Sequence, residues 1–97
     1  MARAIIKGTG SYTPPKVLKN VFFEAVGSND EWIYSHLGIK ERRIVDGEVT
    51  SDLASKAGLK ALENAGITSK EVDLIIVATS TPDRQAPSTA CFVQEKI

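Results

Sequence analysis

A helical pattern of apolar residues is the clearest signal in the chain, and it runs from Ser51 to Ala65. Leucine and alanine recur at spacings of three and four residues, at positions 53, 54, 57, 61, 62 and 65. Gly66 stands where a helix commonly ends. The small alanines allow close approach to a sheet, and Gly58 fits the same close packing. We therefore predict a helix over 51–65 that packs on a sheet.

Two apolar runs predict strands. The run from Leu74 to Ala78 is unbroken and rich in β-branched residues, which is typical of a strand covered on both faces of a parallel sheet. We predict that it is the central strand. The shorter run from Ala4 to Lys7 predicts a first strand, which leads into a glycine-containing loop over residues 8–11.

Capping signals predict a short helix over about residues 30–37. Ser28, Asn29 and Asp30 offer an N-cap, and the acidic first turn suits the positive end of the helix dipole. Gly38 stands where a left-handed residue ends a helix. These local signals define both ends of the predicted element.

The remaining segments have weaker patterns. The valines and phenylalanines of 17–26 predict a short helix on the first strand. The segment 39–45 is typical of a strand or extended edge before a polar turn. Residues 68–71 match a capping box and predict a single helical turn. A further helix is predicted from Ser88 onward.

The order of these elements predicts an α/β fold. Strand, helix, strand and helix alternate, which indicates a layered arrangement with right-handed crossovers. The predicted sheet is unfinished, and the last helix has no terminator. We therefore expect residues 1–97 to be a partial N-terminal domain, truncated in a helix and without a second domain, from a larger protein.

Composition excludes several classes of protein. The 97 residues are 42% hydrophobic and 25% charged, which is ordinary globular composition. With 12 basic and 12 acidic residues, no net charge draws the chain to nucleic acid or to an anionic membrane, and we expect neither partner. The apolar stretch near the N-terminus is too short for a signal peptide or a membrane span, so a cytoplasmic location is expected.

Few residues are candidates for chemistry. Cys91 could be a nucleophile near a helix N-terminus, but its apolar neighbours favour core packing. His36, the only histidine, has no nucleophile near it in sequence and is interpreted as a surface helix residue. Trp32, the only tryptophan, stands among acidic residues. Core packing and stacking on a nucleotide base are equally open for it.

Metal and phosphate sites are not expected. One cysteine and one histidine cannot supply the ligand spacing of a zinc or iron–sulfur site. The glycines at positions 8 and 10 lack the third glycine of a dinucleotide loop. A basic cluster of Lys40, Arg42 and Arg43 is interpreted first as a solvated edge and second as an anion-contacting surface. We expect no cofactor.

Successive blocks of the chain resemble the β-ketoacyl-acyl carrier protein synthase III family. The blocks are GTGSYTP at 8–14, SNDEWI at 28–33, GIKERR at 38–43, VDLIIVAT at 72–79 and APSTAC at 86–91. Their order and spacing both fit, and together they extend over essentially the whole chain. Such a match is highly specific for the thiolase-like superfamily and fairly specific for synthase III.

The resemblance implies a thiolase-like α-β-α-β-α layered fold and a homodimer. It also implies decarboxylative condensation of an acyl-CoA primer with malonyl-acyl carrier protein, the step that starts fatty acid synthesis. In the family a cysteine takes the acyl group, while a histidine and an asparagine stabilise developing negative charge. None of the three matches a position here, and Cys91 aligns with a non-catalytic position. The chain alone is therefore expected to be inactive.

The same resemblance gives four residues expected roles. Trp32 looks like the family's adenine-stacking residue at the mouth of the CoA tunnel, and Ser28 stands where a hydroxyl contacts the nucleotide. His36 stands where the family commonly has arginine, so anion binding there is expected to be weaker and pH-dependent. Ala86 stands where acetyl-preferring members have a phenylalanine that reaches into the partner subunit's acyl pocket. We therefore expect a longer or branched primer.

Two alternatives remain open at this point. The chain could belong to another enzyme of the same superfamily, such as a hydroxymethylglutaryl-CoA synthase or a ketosynthase of secondary metabolism. It could also be a non-catalytic half that acts only by pairing with a C-terminal partner.

Overall fold

The computed structural model describes residues 2–97, which form two compact units. One unit is Thr13–Gly47, and the other contains Glu48–Ile97 together with the chain before Thr13. Each unit is described by itself. No helix among the described residues is long and apolar enough to cross a bilayer.

The unit Thr13–Gly47 is built on a two-stranded antiparallel sheet. Strand β1 is Lys16–Lys19 and strand β2 is Glu41–Ile44, paired so that Lys16 lies opposite Ile44 and Lys19 lies opposite Glu41. Between the strands lie a 3₁₀ helix, Asn20–Val26, and helix α1, Asp30–Leu37. The strand predicted within 39–45 is confirmed. The helix predicted over 17–26 is confirmed only from Asn20, because residues 16–19 pair with β2.

Helix α1 has the ends that the sequence predicts. The side chain of Asn29 accepts a hydrogen bond from the backbone N–H of Trp32 at 2.8 Å, which satisfies one of the free donors of the first turn. Gly38 is left-handed, with φ of 68°, and its N–H donates to the carbonyl of Tyr34 at 2.8 Å. Only glycine adopts this conformation without steric cost. The local caps therefore fix α1 at both ends.

A buried asparagine in the 3₁₀ helix connects α1 and β2. Asn20 is only 1% exposed. Its Nδ2 donates to Asp30 Oδ1 at 2.8 Å and to the carbonyl of Ile39 at 2.6 Å, and its Oδ1 accepts from Arg42 Nη2 at 2.8 Å. These partners lie at the start of α1, just after α1, and in β2. One side chain thus fixes the helix relative to the sheet.

The second unit is organised around helix α2, Thr50–Ala65. Gly66 ends it in the left-handed conformation, with φ of 69°, as the sequence predicts. Its N-terminus is unusual because Val49, the N-cap residue, has no side-chain oxygen to accept a hydrogen bond. The backbone N–H of Ser51 donates instead to Asp83 Oδ1 at 2.8 Å. A residue 32 positions away therefore caps α2.

The early chain passes directly over α2. A Cβ atom at Gly8 would lie 2.6 Å from the carbonyl oxygen of Ala61, and one at Gly10 would lie 2.4 Å from that of Ala57. Contacts this short leave no room for any side chain. The alanines of α2 therefore permit a close approach of extended backbone at Gly8 and Gly10, whereas the sequence predicted that a sheet packs there. The close packing predicted for Gly58 is wrong, because a Cβ atom there would meet nothing within 4 Å.

Two shorter elements complete the second unit. A 3₁₀ turn, Ser69–Glu71, follows the predicted capping box, in which Glu71 Oε2 accepts from the backbone N–H of Thr68 at 2.7 Å. Helix α3, Thr89–Lys96, begins after Ser88, which confirms the last predicted helix. The side chain of Lys96 then reaches α2, where its Nζ donates to Asp52 Oδ1 at 2.6 Å.

The two predicted strands of this unit are wrong as secondary structure. Neither Ala4–Lys7 nor Leu74–Ala78 joins a ladder, and β1 with β2 is the only pairing within residues 2–97. A strand is defined by hydrogen bonds to a neighbour, so an apolar run alone cannot create one. Ile6 and Ile76 remain 85% and 80% exposed. The mixture of helices and sheet nevertheless agrees with the predicted α/β class.

Replacing Asn20 should loosen α1. In Asn20→Ala, the carbonyl of Ile39 and the guanidinium of Arg42 lose their partner, and together these two partly buried groups cost about 1–3 kcal/mol. We expect amide hydrogen exchange in α1 and β2 to accelerate about tenfold or more. Asn64→Ala is the control, since Asn64 accepts one exposed hydrogen bond in the other unit. Unchanged exchange in α1 would contradict the role given to Asn20.

The ion pair of Asp52 should make the second unit acid-sensitive. Hydrogen bonds from Lys96 and then from the N–H of Val49 hold the pKa of Asp52 below its ordinary value. The unfolded chain therefore takes up this proton at higher pH than the folded chain. The stabilisation is complete above the ordinary carboxyl range of about 4 and is lost as the pH falls below it.

Thermal melts between about pH 6 and pH 2.5 test this acid sensitivity, because the loss lies below the ordinary carboxyl pKa. We expect Asp52→Asn to flatten the acid-side decline in melting temperature, whereas Asp73→Asn, at an exposed site, should leave it unchanged. Equal slopes in the parent chain and in Asp52→Asn would refute the assignment.

Candidate functional site

An aromatic pair stands on the exposed side of α1. Trp32 is 51% exposed, and its ring stacks on that of His36 one turn later, with centroids 4.5 Å apart and planes at 19°. Residues four apart share one face of a helix, which explains the stack. The neighbouring residue Ile33 is 5% exposed and occupies the buried side of α1. Of the two interpretations of Trp32, core packing does not describe this position.

The backbone orients His36 within this pair. Its Nδ1 lies 2.9 Å from the carbonyl oxygen of Trp32, and Ser35 Oγ donates to the same oxygen at 3.1 Å. A carbonyl can only accept, so Nδ1 carries the proton in this contact. The second ring nitrogen, Nε2, is then the acceptor in the neutral ring and gains a proton in the imidazolium. His36 is exposed, as predicted, and its ring backs the indole.

Ser28 lies at the entry to α1. Its backbone N–H donates to the carbonyl of Phe23 at 3.1 Å, which closes the end of the 3₁₀ helix. The side chain is partly exposed, and Ser28 precedes Trp32 by four positions. Ser28, Trp32 and His36 thus belong to one unit and to one continuous stretch around α1.

Ala86 belongs to the other unit. It is exposed and lies in the loop of residues 79–88 that leads into α3. A methyl side chain at this position occupies little space. The loop itself is held on α2, because the hydroxyl of Thr50 donates to the carbonyl of Thr81 at 2.6 Å and Asp83 binds Ser51.

Cys91 is not a core residue in this structure, so the interpretation of core packing is wrong here. Its side chain is exposed in the first turn of α3, and its Sγ lies 3.7 Å from Ser88 Oγ. A serine hydroxyl is no general base at neutral pH, so this contact gives the thiol no activation. That Cys91 is non-catalytic stays a prediction.

The basic cluster does not converge on one point. Arg42 lies 4.6 Å from the ring centroid of Phe23 and binds Asn20, while Arg43 donates to the carbonyl of Pro14 at 3.2 Å. Lys40 lies 5.3 Å from the ring centroid of Tyr34. Arg42 is therefore a structural residue. The arrangement of the cluster favours the interpretation as a solvated edge over that as an anion-binding site.

Sequence reasoning missed the two polar residues that position these elements. Asn20 and Asp83 contact partners that are distant in sequence, and no local pattern marks them. The sequence places Thr50, a residue that can cap a helix, directly before the predicted start at Ser51. Only the structure shows that α2 begins after Val49 and therefore takes its acceptor from Asp83.

The chain is similar in sequence to known condensing enzymes. No protein-family profile matches it. It is 56% identical over 93 residues to the β-ketoacyl-acyl carrier protein synthase III of Clostridium acetobutylicum, a match that covers 95% of this chain and 29% of that protein. The chain thus spans less than a third of the length of this curated relative.

The solved structures agree with the sequence match. The 3-oxoacyl-acyl carrier protein synthase III of Aquifex aeolicus superposes with a TM-score of 0.90 at 47% identity, covering 94% of this chain and 30% of that one. The priming β-ketosynthase of the R1128 polyketide pathway superposes with a TM-score of 0.88 at 31% identity, covering 94% and 28%. By sequence and by fold, the chain is similar to the N-terminal portion of these synthase III enzymes.

Proposed function

We propose that these residues form the coenzyme A entrance and part of the acyl pocket of a synthase III. The enzyme condenses an acyl-CoA primer with malonyl-acyl carrier protein and so initiates fatty acid synthesis. We further propose that it acts as a cytoplasmic homodimer. The exposed aromatic face of α1 is the observation that supports this assignment most strongly.

Trp32 is suited to bind the adenine ring. Its indole is half-exposed, and one of its faces rests on His36, which leaves the opposite face for a ligand. Stacking of a base on an aromatic side chain is worth about 1–3 kcal/mol. Because Asn29 caps α1 and Asn20 holds its first turn, the indole stands on a fixed platform. Little ordering is then required when the nucleotide binds.

His36 is suited to contact the phosphates of coenzyme A when its ring is protonated. Its Nδ1 is engaged with the carbonyl of Trp32, so Nε2 is the nitrogen that can face an anion. An imidazolium donates to phosphate there, whereas a neutral ring does not. Arginine would supply a permanent charge with a two-pronged geometry. The proposed contact is therefore weaker than an arginine contact and strengthens as the pH falls.

Ser28 and Ala86 complete the proposed assignments. The hydroxyl of Ser28, at the entry to α1, is partly exposed and could bind a nucleotide oxygen. The methyl group of Ala86 leaves the space that a phenylalanine would fill, which supports a primer longer than acetyl or branched. Neither residue carries out a chemical step. The nucleophile and the two oxyanion-stabilising groups are proposed to match positions outside these residues, and the chain alone should be inactive.

The similarity to a polyketide ketosynthase supports a second candidate function. A TM-score of 0.88 shows that this fold segment also occurs in a priming ketosynthase of secondary metabolism. Identity is 31% there and 56% with the Clostridium synthase, so fatty acid synthesis is the preferred proposal. Co-purification with a separate polypeptide that carries the missing cysteine would instead favour the non-catalytic half.

Replacing Trp32 should weaken nucleotide binding. In Trp32→Ala we expect the Kd for coenzyme A, measured by calorimetry, to rise about tenfold or more, because one stacked base is lost. Phe22→Ala is the matched control, since Phe22 is an aromatic residue of the same unit and is 61% exposed. Adenosine 3′,5′-bisphosphate should bind the parent chain, and pantetheine should not.

His36→Arg provides the second arm of that experiment. It should tighten the binding of coenzyme A, because a guanidinium carries a permanent charge and binds phosphate with a two-pronged geometry. If Trp32→Ala and Phe22→Ala lower affinity equally, α1 is not the nucleotide site.

Primer choice should follow residue 86. We expect the full-length protein that carries these residues to prefer branched or longer acyl-CoA primers over acetyl-CoA, by about tenfold in kcat/KM. Ala86→Phe should reverse that order because the added ring fills the pocket. The measurement is a competition of primers with product chain lengths read by mass spectrometry. A clear preference of the parent enzyme for acetyl-CoA would refute the assignment.

A further inference from the structure

The 79–88 loop is anchored on the ends of two helices. The carbonyl of Thr81 accepts from the hydroxyl of Thr50 at 2.6 Å, at the start of α2. The N–H of Asp83 donates to Thr89 Oγ1 at 3.4 Å, at the start of α3. Between these contacts, the carboxylate of Asp83 binds Ser51. The middle of the loop is therefore fixed even though most of its residues are exposed.

Both carboxylate oxygens of Asp83 accept hydrogen bonds from Ser51. Oδ1 accepts from the N–H of Ser51 at 2.8 Å, and Oδ2 accepts from its hydroxyl. Ser51 is fully buried, with 0% exposure. Its Oγ also accepts from Lys96 Nζ at 2.7 Å. An ammonium group can only donate and a carboxylate can only accept, so the direction of both hydrogen bonds is fixed. Lys96 donates to Ser51 Oγ, and the Ser51 hydroxyl donates to Asp83.

A carboxylate is well suited to this position. The first N–H groups of a helix have no partner within the helix and lie at the positive end of its dipole. Val49 cannot cap them. The only backbone N–H among the described residues that donates to the Asp52 side chain is that of Val49, at 2.9 Å, and it lies outside the helix. Asp83 therefore supplies both the missing acceptor and a complementary negative charge. This interaction attaches the loop to the N-terminus of α2.

We propose that Asp83 is a positioning residue that sets the preference for the acyl chain. It holds the backbone three residues before Ala86, and so fixes how far the small side chain stands from the acyl group. This inference rests on the proposed function, in which Ala86 borders the acyl pocket. When the anchor is lost, the loop samples several positions, the pocket has no single width, and primers of different length are discriminated less.

The experiment compares primers in the full-length protein that carries these residues. In Asp83→Asn, the amide can still accept from the N–H of Ser51, but its NH₂ group cannot accept from the hydroxyl. We expect the ratio of kcat/KM for a branched five-carbon primer over acetyl-CoA to fall about threefold or more. The KM for malonyl-acyl carrier protein should stay within about twofold, because the binding of this second substrate does not depend on the width of the acyl pocket.

Amide exchange of residues 79–88 measures the anchor itself. Exchange should accelerate about fivefold in Asp83→Asn, because both the negative charge at the N-terminus of α2 and the hydrogen bond from the Ser51 hydroxyl are lost. Ser51→Ala retains the backbone donor and should show a smaller change in both exchange and primer ratio. Arg84→Gln alters an exposed charge in the same loop and should change neither quantity.

The outcomes separate the two levels of the proposal. If Ala86→Phe shifts primer choice but Asp83→Asn leaves the ratio unchanged despite faster loop exchange, Asp83 does not set specificity and the proposed function stands. If loop exchange is unchanged, the anchor itself is refuted. If Ala86→Phe shifts nothing, the acyl pocket is not at this loop and the proposed function fails at that residue.

Discussion

The hydrogen bonds of Asn20 are the constraint on which the Thr13–Gly47 unit depends. Among residues 2–97, only two apolar side chains are buried, Ile33 and Val93. Apolar packing alone therefore defines little of the geometry. Asn20, by contrast, is 1% exposed and joins Asp30, Ile39 and Arg42. A buried amide tolerates few arrangements, because each donor and acceptor must be satisfied. This requirement orients α1, and α1 presents the aromatic pair.

The same principle governs the second unit. There the buried polar residue is Ser51, and the carboxylate of Asp83 satisfies it from a loop. In both units a polar side chain connects elements that are distant in sequence, and the connected element carries a residue with a proposed contact to the substrate. Trp32 stands on the element held by Asn20, and Ala86 stands on the loop held by Asp83. Polar satisfaction therefore links the architecture to the proposed function.

The sequence predicts the elements that depend on interactions between residues close in sequence, and it fails for those that depend on distant partners. Helices α1, α2 and α3 follow from periodicity and, for α1 and α2, from glycines that end them, and their predicted positions are confirmed. The strands expected at 4–7 and 74–78 depend on a distant partner, which an apolar run does not reveal. Asn20 and Asp83 were missed for the same reason. The resemblance to a family identified Trp32 and His36, but only the structure places their rings in contact.

The claim that the exposed face of Trp32 is a nucleotide-binding surface can be measured most directly by nuclear Overhauser contacts in a complex with coenzyme A. The chain has a single tryptophan, so the indole proton signals are unambiguous. The account predicts contacts from the indole to the adenine ring protons, with the phosphates toward His36. Contacts from the indole to pantetheine alone, or to no part of the ligand at saturation, would contradict it.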